Sequence, residues 1–92
     1  MKYTRLDVGL RIGGVYTNRW GDGQSSDYVV TDIEDDQLLP SIHLRRLSDG
    51  WEMDVFGAGL YQTPQGISLQ WDYSTHGHFG KDRPQKEAQG WK

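Results

Sequence analysis

The stretch SIHLRRLSDGWEMDVF, residues 41–56, decides the fold. In its second half the apolar Trp51, Met53 and Val55 alternate with the charged Glu52 and Asp54. That period of two belongs to a half-buried strand, not to a helix. Its first half alternates as well: Ile42 and Leu44 share one side, and His43, on the other, faces solvent. Ser48-Asp49-Gly50 between the halves is a turn sequence, so 41–47 and 51–56 are predicted to pair as an antiparallel hairpin.

The same pattern continues downstream. Ile67 to Tyr73 alternates over seven positions, with Trp71 and Tyr73 on the inward parity, as is Trp51 in its own strand. Thr63-Pro64-Gln65-Gly66 is a turn that folds the segment around Leu60-Tyr61 back against it, since proline presets the first turn dihedral and glycine accepts a positive one. Upstream, Tyr28 to Ile33 is rich in β-branched residues and follows a polar Gly-Asp-Gly-Gln-Ser-Ser loop. Leu10 to Thr17 reads as a strand bent at Gly13-Gly14, and Gly57 and Gly59 flank Ala58 in the same manner.

Composition agrees. Only two alanines occur in 92 residues, beside 12 Gly and 11 aromatics. Leu, Ile, Val and Phe number 19, about 21 %, enough for one small domain with a modest core. The expected fold is all-β: a small antiparallel barrel or curled sheet of five or six strands, SH3-like or OB-like, over residues 1–79. Its order, a glycine-led first strand, a long polar loop and a three-stranded meander, is similar in shape to Tudor and KOW domains. No motif of those families stands in the chain, so no residue role follows from the likeness. Residues 80–92 lack apolar periodicity and are expected to form a mobile polar tail.

Charge is unevenly spread. The net charge is −3, but residues 1–21 sum to +3, residues 22–54 to −7 and residues 55–92 to +1. The acidic centre disfavours nucleic acid as the main ligand, because that binding is driven by cations that release counterions from phosphate. There is no Cys, hence no disulfide, no thiolate nucleophile and no cysteine zinc site. With no long apolar run either, a cytoplasmic chain without membrane or cofactor is expected.

Catalytic patterns are missing. Gly21-Asp22-Gly23 precedes a strand and places an acid where a phosphate would sit. Glu52 and Asp54 share a side of one strand, but paired acids on an exposed strand are ordinarily just solvated. The leading expectation is therefore a non-catalytic protein that occupies a surface of another protein or multi-subunit complex, in the manner of a phage or mobile-element inhibitor of a host machine. Its expected anchors are Trp20, in a polar loop beside Arg19, and Phe56 on the outward side of its strand. Arg19, Arg45 and Arg46 supply hydrogen bonds, and the run Asp32, Glu34, Asp35 and Asp36 supplies orientation. An edge strand offers a route to a homodimer. Two rival classes stand beside it. One is a metal-binding domain or hydrolase built on Asp72, His76 and His78, which share one face of an extended chain. The other is a nucleic-acid binder using Arg5, Arg11 and Arg19 with Tyr16 and Trp20.

Overall fold

A computed structural model describes residues 3–35, 38 and 40–79. Asp36 and the tail expected over 80–92 lie outside the described residues. The chain is all-β and antiparallel. Its strands are β1 (Thr4–Arg5), β2 (Val15–Trp20), β3 (Gln24–Glu34), β4 (Ser41–Arg46), β5 (Trp51–Phe56), β6 (Gly59–Thr63), β7 (Gly66–Gln70), β8 (Tyr73–Ser74) and β9 (His78–Phe79). Among the described residues no helix is long and apolar enough to cross a membrane.

The hairpin read from residues 41–56 is present as β4 and β5, with Leu44 opposite Met53 and Ile42 opposite Val55. It sits inside a larger sheet ordered β2-β3-β4-β5-β8, with β9 also on β5. A second sheet is ordered β1-β6-β7. Tyr28, Val30, Leu44, Met53, Val55, Leu60 and Leu69 form the core between them. Each such aliphatic side chain contributes roughly 1.5–3 kcal/mol by leaving water.

The curled sheet does not close into a barrel through backbone hydrogen bonds. Where β2 runs beside β7, side chains bridge instead. Asn18 Nδ2 donates to the Leu69 carbonyl (2.7 Å), the Arg19 amide to Ser68 Oγ (3.0 Å) and Gln70 Nε2 to the Arg19 carbonyl (3.2 Å). Ser68 is fully buried and also accepts from Gln70 Nε2 at 2.6 Å, so its hydroxyl is satisfied inside the seam. On the β2 side these bridges use the Asn18 side chain and the Arg19 backbone N–H and C=O.

The structure corrects several expectations. The alternation over Ile67–Tyr73 is not one strand. The chain leaves β7 at Gln70, and the Asp72 amide then donates to the Phe56 carbonyl, which starts β8 on the other sheet. Tyr73 is therefore 54 % exposed rather than inward, while Trp71 packs edge-on against Tyr28 with ring centroids 5.8 Å apart. Strand β3 begins at Gln24, so the second half of the expected polar loop is strand, and Arg19 and Trp20 end β2 instead of lying in a loop. The chain passes from the β5 sheet to the β6 sheet at Gly57, whose φ of +72° is ready for glycine and costly for other residues. A Cβ there would also meet the Asp72 carboxylate.

Candidate functional site

Because Ile42 and Leu44 of β4 face the core, Ser41, His43 and Arg45 fall on the outward parity, with Ser41 itself buried at the strand's start. By the same rule Met53 and Val55 of β5 turn inward, and Glu52, Asp54 and Phe56 turn outward. The register pairs His43 with Asp54 and Arg45 with Glu52. Strand β3 contributes through an irregularity. Val30 pairs with Leu44 and points inward, so strict alternation would send Asp32 inward as well. A register shift between Val30 and Asp32 instead sets Asp32 opposite His43 and Ile33 opposite Ile42. One extra residue thus rotates Asp32 and Glu34 onto the outer face and Ile33 against the core.

At the centre of this face His43 Nδ1 lies 2.7 Å from Asp54 Oδ1, and His43 Nε2 lies 2.7 Å from Glu52 Oε1. A neutral imidazole donates from one nitrogen only; the imidazolium donates from both. The side chains are 25 % (His43), 18 % (Glu52) and 45 % (Asp54) exposed. Burial pulls the His43 pKa down, but the hydrogen bonds and charges of Glu52 and Asp54 together hold it above its ordinary value of 6.5. Thr75 fixes Asp54 by accepting its backbone N–H at 3.1 Å and donating its own to the Asp54 carbonyl at 2.9 Å.

An open cleft of about 320 Å³ runs along the face, lined by Asp32, Glu34, Ser41, His43 and Asp54. In the register, Ser41 pairs with Phe56 and Phe56 with Tyr73. The Phe56 and Tyr73 rings stack with centroids 5.0 Å apart and planes 16° from parallel.

The expected binding residues do not form one patch. Asp32, Glu34, Arg45 and Phe56 share the outer face, and Asp35 is exposed just beyond the end of β3. Arg46 is on the inward parity, holding Asp49 bidentately (Nε to Oδ1 2.9 Å, Nη2 to Oδ2 2.8 Å) and lying over the Trp51 ring. That ion pair raises its pKa above the ordinary arginine value. Arg19 and Trp20 lie elsewhere, beside a notch of about 140 Å³ shared with Tyr3, Gln24 and Gln65.

Asp72 lies against Gly57, and His78, on β9, pairs with Glu52. Among the described residues no group of three or more His, Asp or Glu side chains is arranged to hold a metal ion, and Asp72, His76 and His78 are not gathered into one. Of the basic set, Arg5 is tied to Tyr61 Oη (2.9 Å) and the Ala58 carbonyl (3.1 Å), and Tyr16 packs against the core. Arg19 and Trp20 remain together. Comparison with models of known protein families, with characterised proteins and with solved structures finds no match to this chain.

Proposed function

We propose that the chain is a non-catalytic binding domain that docks the outer face of β3, β4 and β5 on a basic segment of a partner protein. The observation that carries this reading is the juxtaposition on one face of the carboxylate-lined cleft and the stacked Phe56–Tyr73 pair. A lysine or arginine of the partner meets carboxylates in the cleft and ring faces at its end, two environments that favour the same cation. The non-catalytic part rests on His43: with both ring nitrogens against carboxylates, neither is a free base.

The test is fluorescence anisotropy with a labelled eight-residue Lys/Arg-rich peptide, and with an acidic peptide of equal length as control. The basic peptide is expected to bind, and the double variant Asp32→Asn, Glu34→Gln to weaken it at least fivefold without lowering the melting temperature. Equal binding of both peptides, or none of either, overturns the reading.

A further inference from the structure

The notch at the far end of β3 has a different chemistry. Gln24 and Asp32 are eight residues apart on that strand, about 26 Å at the rise of a β-strand, so notch and cleft are separate places. Trp20 and Tyr3 line the notch and are 48 % and 47 % exposed, large ring surface that the core does not use. The glycines on either side of Asp22, Gly21 (φ +57°) and Gly23 (φ +84°), make the hairpin turn tight, and both line the notch while Asp22 does not.

Arg19 supplies the charge. Its Nε donates to the Ile67 carbonyl at 3.0 Å, which fixes the guanidinium plane, while its two terminal nitrogens make no hydrogen bond among the described residues. The side-chain amides of Gln24 and Gln65 likewise have no hydrogen-bond partner among the described residues. A held guanidinium with its forked end open is suited to an oxyanion of phosphate geometry. Beside it stand ring faces for stacking and amides that pair with the polar edge of a heterocycle. A neutral sugar or a proline-rich peptide offers the fork only uncharged oxygens, weaker acceptors than a phosphate.

We propose that this notch binds one nucleotide unit of single-stranded nucleic acid, its base against Trp20 and Tyr3 and its phosphate on Arg19. The site is independent of the basic-segment reading and stands whether or not that reading holds. With a single phosphate contact, affinity falls only gently with salt, log K against log salt having a slope of about −0.7. A −7 balance over residues 22–54 is compatible with so local a contact, though not with a long phosphate track.

The experiment is a nitrogen–proton NMR titration of the full chain with thymidine 5′-monophosphate, with an eight-nucleotide oligothymidylate, with thymidine and with inorganic phosphate. The Trp20 indole and the Gln24 and Gln65 amides are expected to shift with both nucleotides, and far less with thymidine or phosphate at equal concentration. Trp20→Ala is expected to reduce oligonucleotide affinity about five- to 150-fold, the range for one stacked base. Arg19→Lys keeps the charge and the fold but loses the fork, and is expected to weaken nucleotide more than thymidine. Saturation by phosphate alone at the same concentration, or unaltered affinity in Trp20→Ala, overturns the proposal. So does the absence of any shift at these three side chains.

Discussion

Replacing His43 by Gln tests the centre of the outer face most directly. In the folded chain both His43 nitrogens sit 2.7 Å from carboxylate oxygens, and the imidazolium is the form that satisfies both. Charge-assisted hydrogen bonds contribute about 1.5–3 kcal/mol when well buried. Here the side chains are between 18 % and 45 % exposed, so each is discounted for solvent screening to about 0.5–1 kcal/mol. The pair together then stabilises by about 1–2 kcal/mol when His43 is charged. The direction with pH follows from linkage. The folded pKa lies above the unfolded value of 6.5, so this stability is complete below 6.5 and is lost as pH rises through the folded pKa. Urea unfolding followed by tryptophan fluorescence at pH 5.5 and pH 9 separates the two regimes. His43→Gln is expected to be about 1–2 kcal/mol less stable than wild type at pH 5.5, and close to it at pH 9. A difference of equal size at both pH values refutes the imidazolium assignment, as does an NMR titration that places His43 at or below 6.5.

Other outcomes follow from packing and backbone. Leu44→Ala, at a side chain with no exposure in the middle of the core, is expected to cost about 2–5 kcal/mol in urea unfolding. Gly57→Ala combines a positive φ with a clash against Asp72 and is expected to lower stability by about 1–3 kcal/mol, measured by thermal melts; a neutral effect means that the chain crosses between sheets differently. Asn18→Leu is expected to loosen the β2–β7 seam by about 1–3 kcal/mol, because the buried Leu69 carbonyl loses its donor, and amide exchange along β7 is expected to speed up with it. Deleting Thr31 removes the unpaired residue and leaves Asp32 directly after Val30, still opposite His43, so β3 and β4 are expected to pair as a regular ladder with Asp32 and Glu34 outward and Ile33 inward; urea unfolding is expected to stay cooperative, and its loss refutes the reading of Thr31 as the extra residue.

Much of this fold is legible in the sequence, because period-two alternation is a local signal. Ile42 to Val55 announces its own hairpin, and the turn at Asp49-Gly50 fixes how its strands meet. Where alternation misleads is at Trp71-Asp72, since a chain that changes sheets keeps an alternating pattern on either side of the break, and Tyr73 emerges exposed. Arg19 and Trp20 share a place because they are consecutive, but the Tyr3 and Gln65 that complete their notch come from distant segments. The His43 cluster was within reach. The hairpin puts His43 beside the two outward carboxylates of the next strand, and the signal is lost only when His43 is read along its own strand rather than across the pair.

The facing of Asp32 and Glu34 does not follow from simple alternation, for a physical reason. Their face depends on a single unpaired residue in β3, because each residue inserted into one strand of a pair reverses the facing of everything after it. Run without the shift, the parity set by Tyr28 and Val30 buries Asp32 and Glu34 and exposes Ile33, three errors that burial energies forbid together. The sequence therefore holds the information as a conflict: an apolar parity on 28 and 30 that reappears at 33 instead of 32. The shift resolves it by bringing Ile33 to the core and two more carboxylates to the face that already carries Glu52 and Asp54. His43 lies among these acids, hydrogen-bonded to two of them, so its protonation state changes the charge of the face. Loss of the His43 proton makes the face more negative by one charge and strengthens its pull on a cation. Binding of a basic segment is accordingly expected to tighten as pH rises above the His43 pKa, even as the fold itself weakens. Such opposed trends in affinity and stability separate a docking face from a merely structural ion pair.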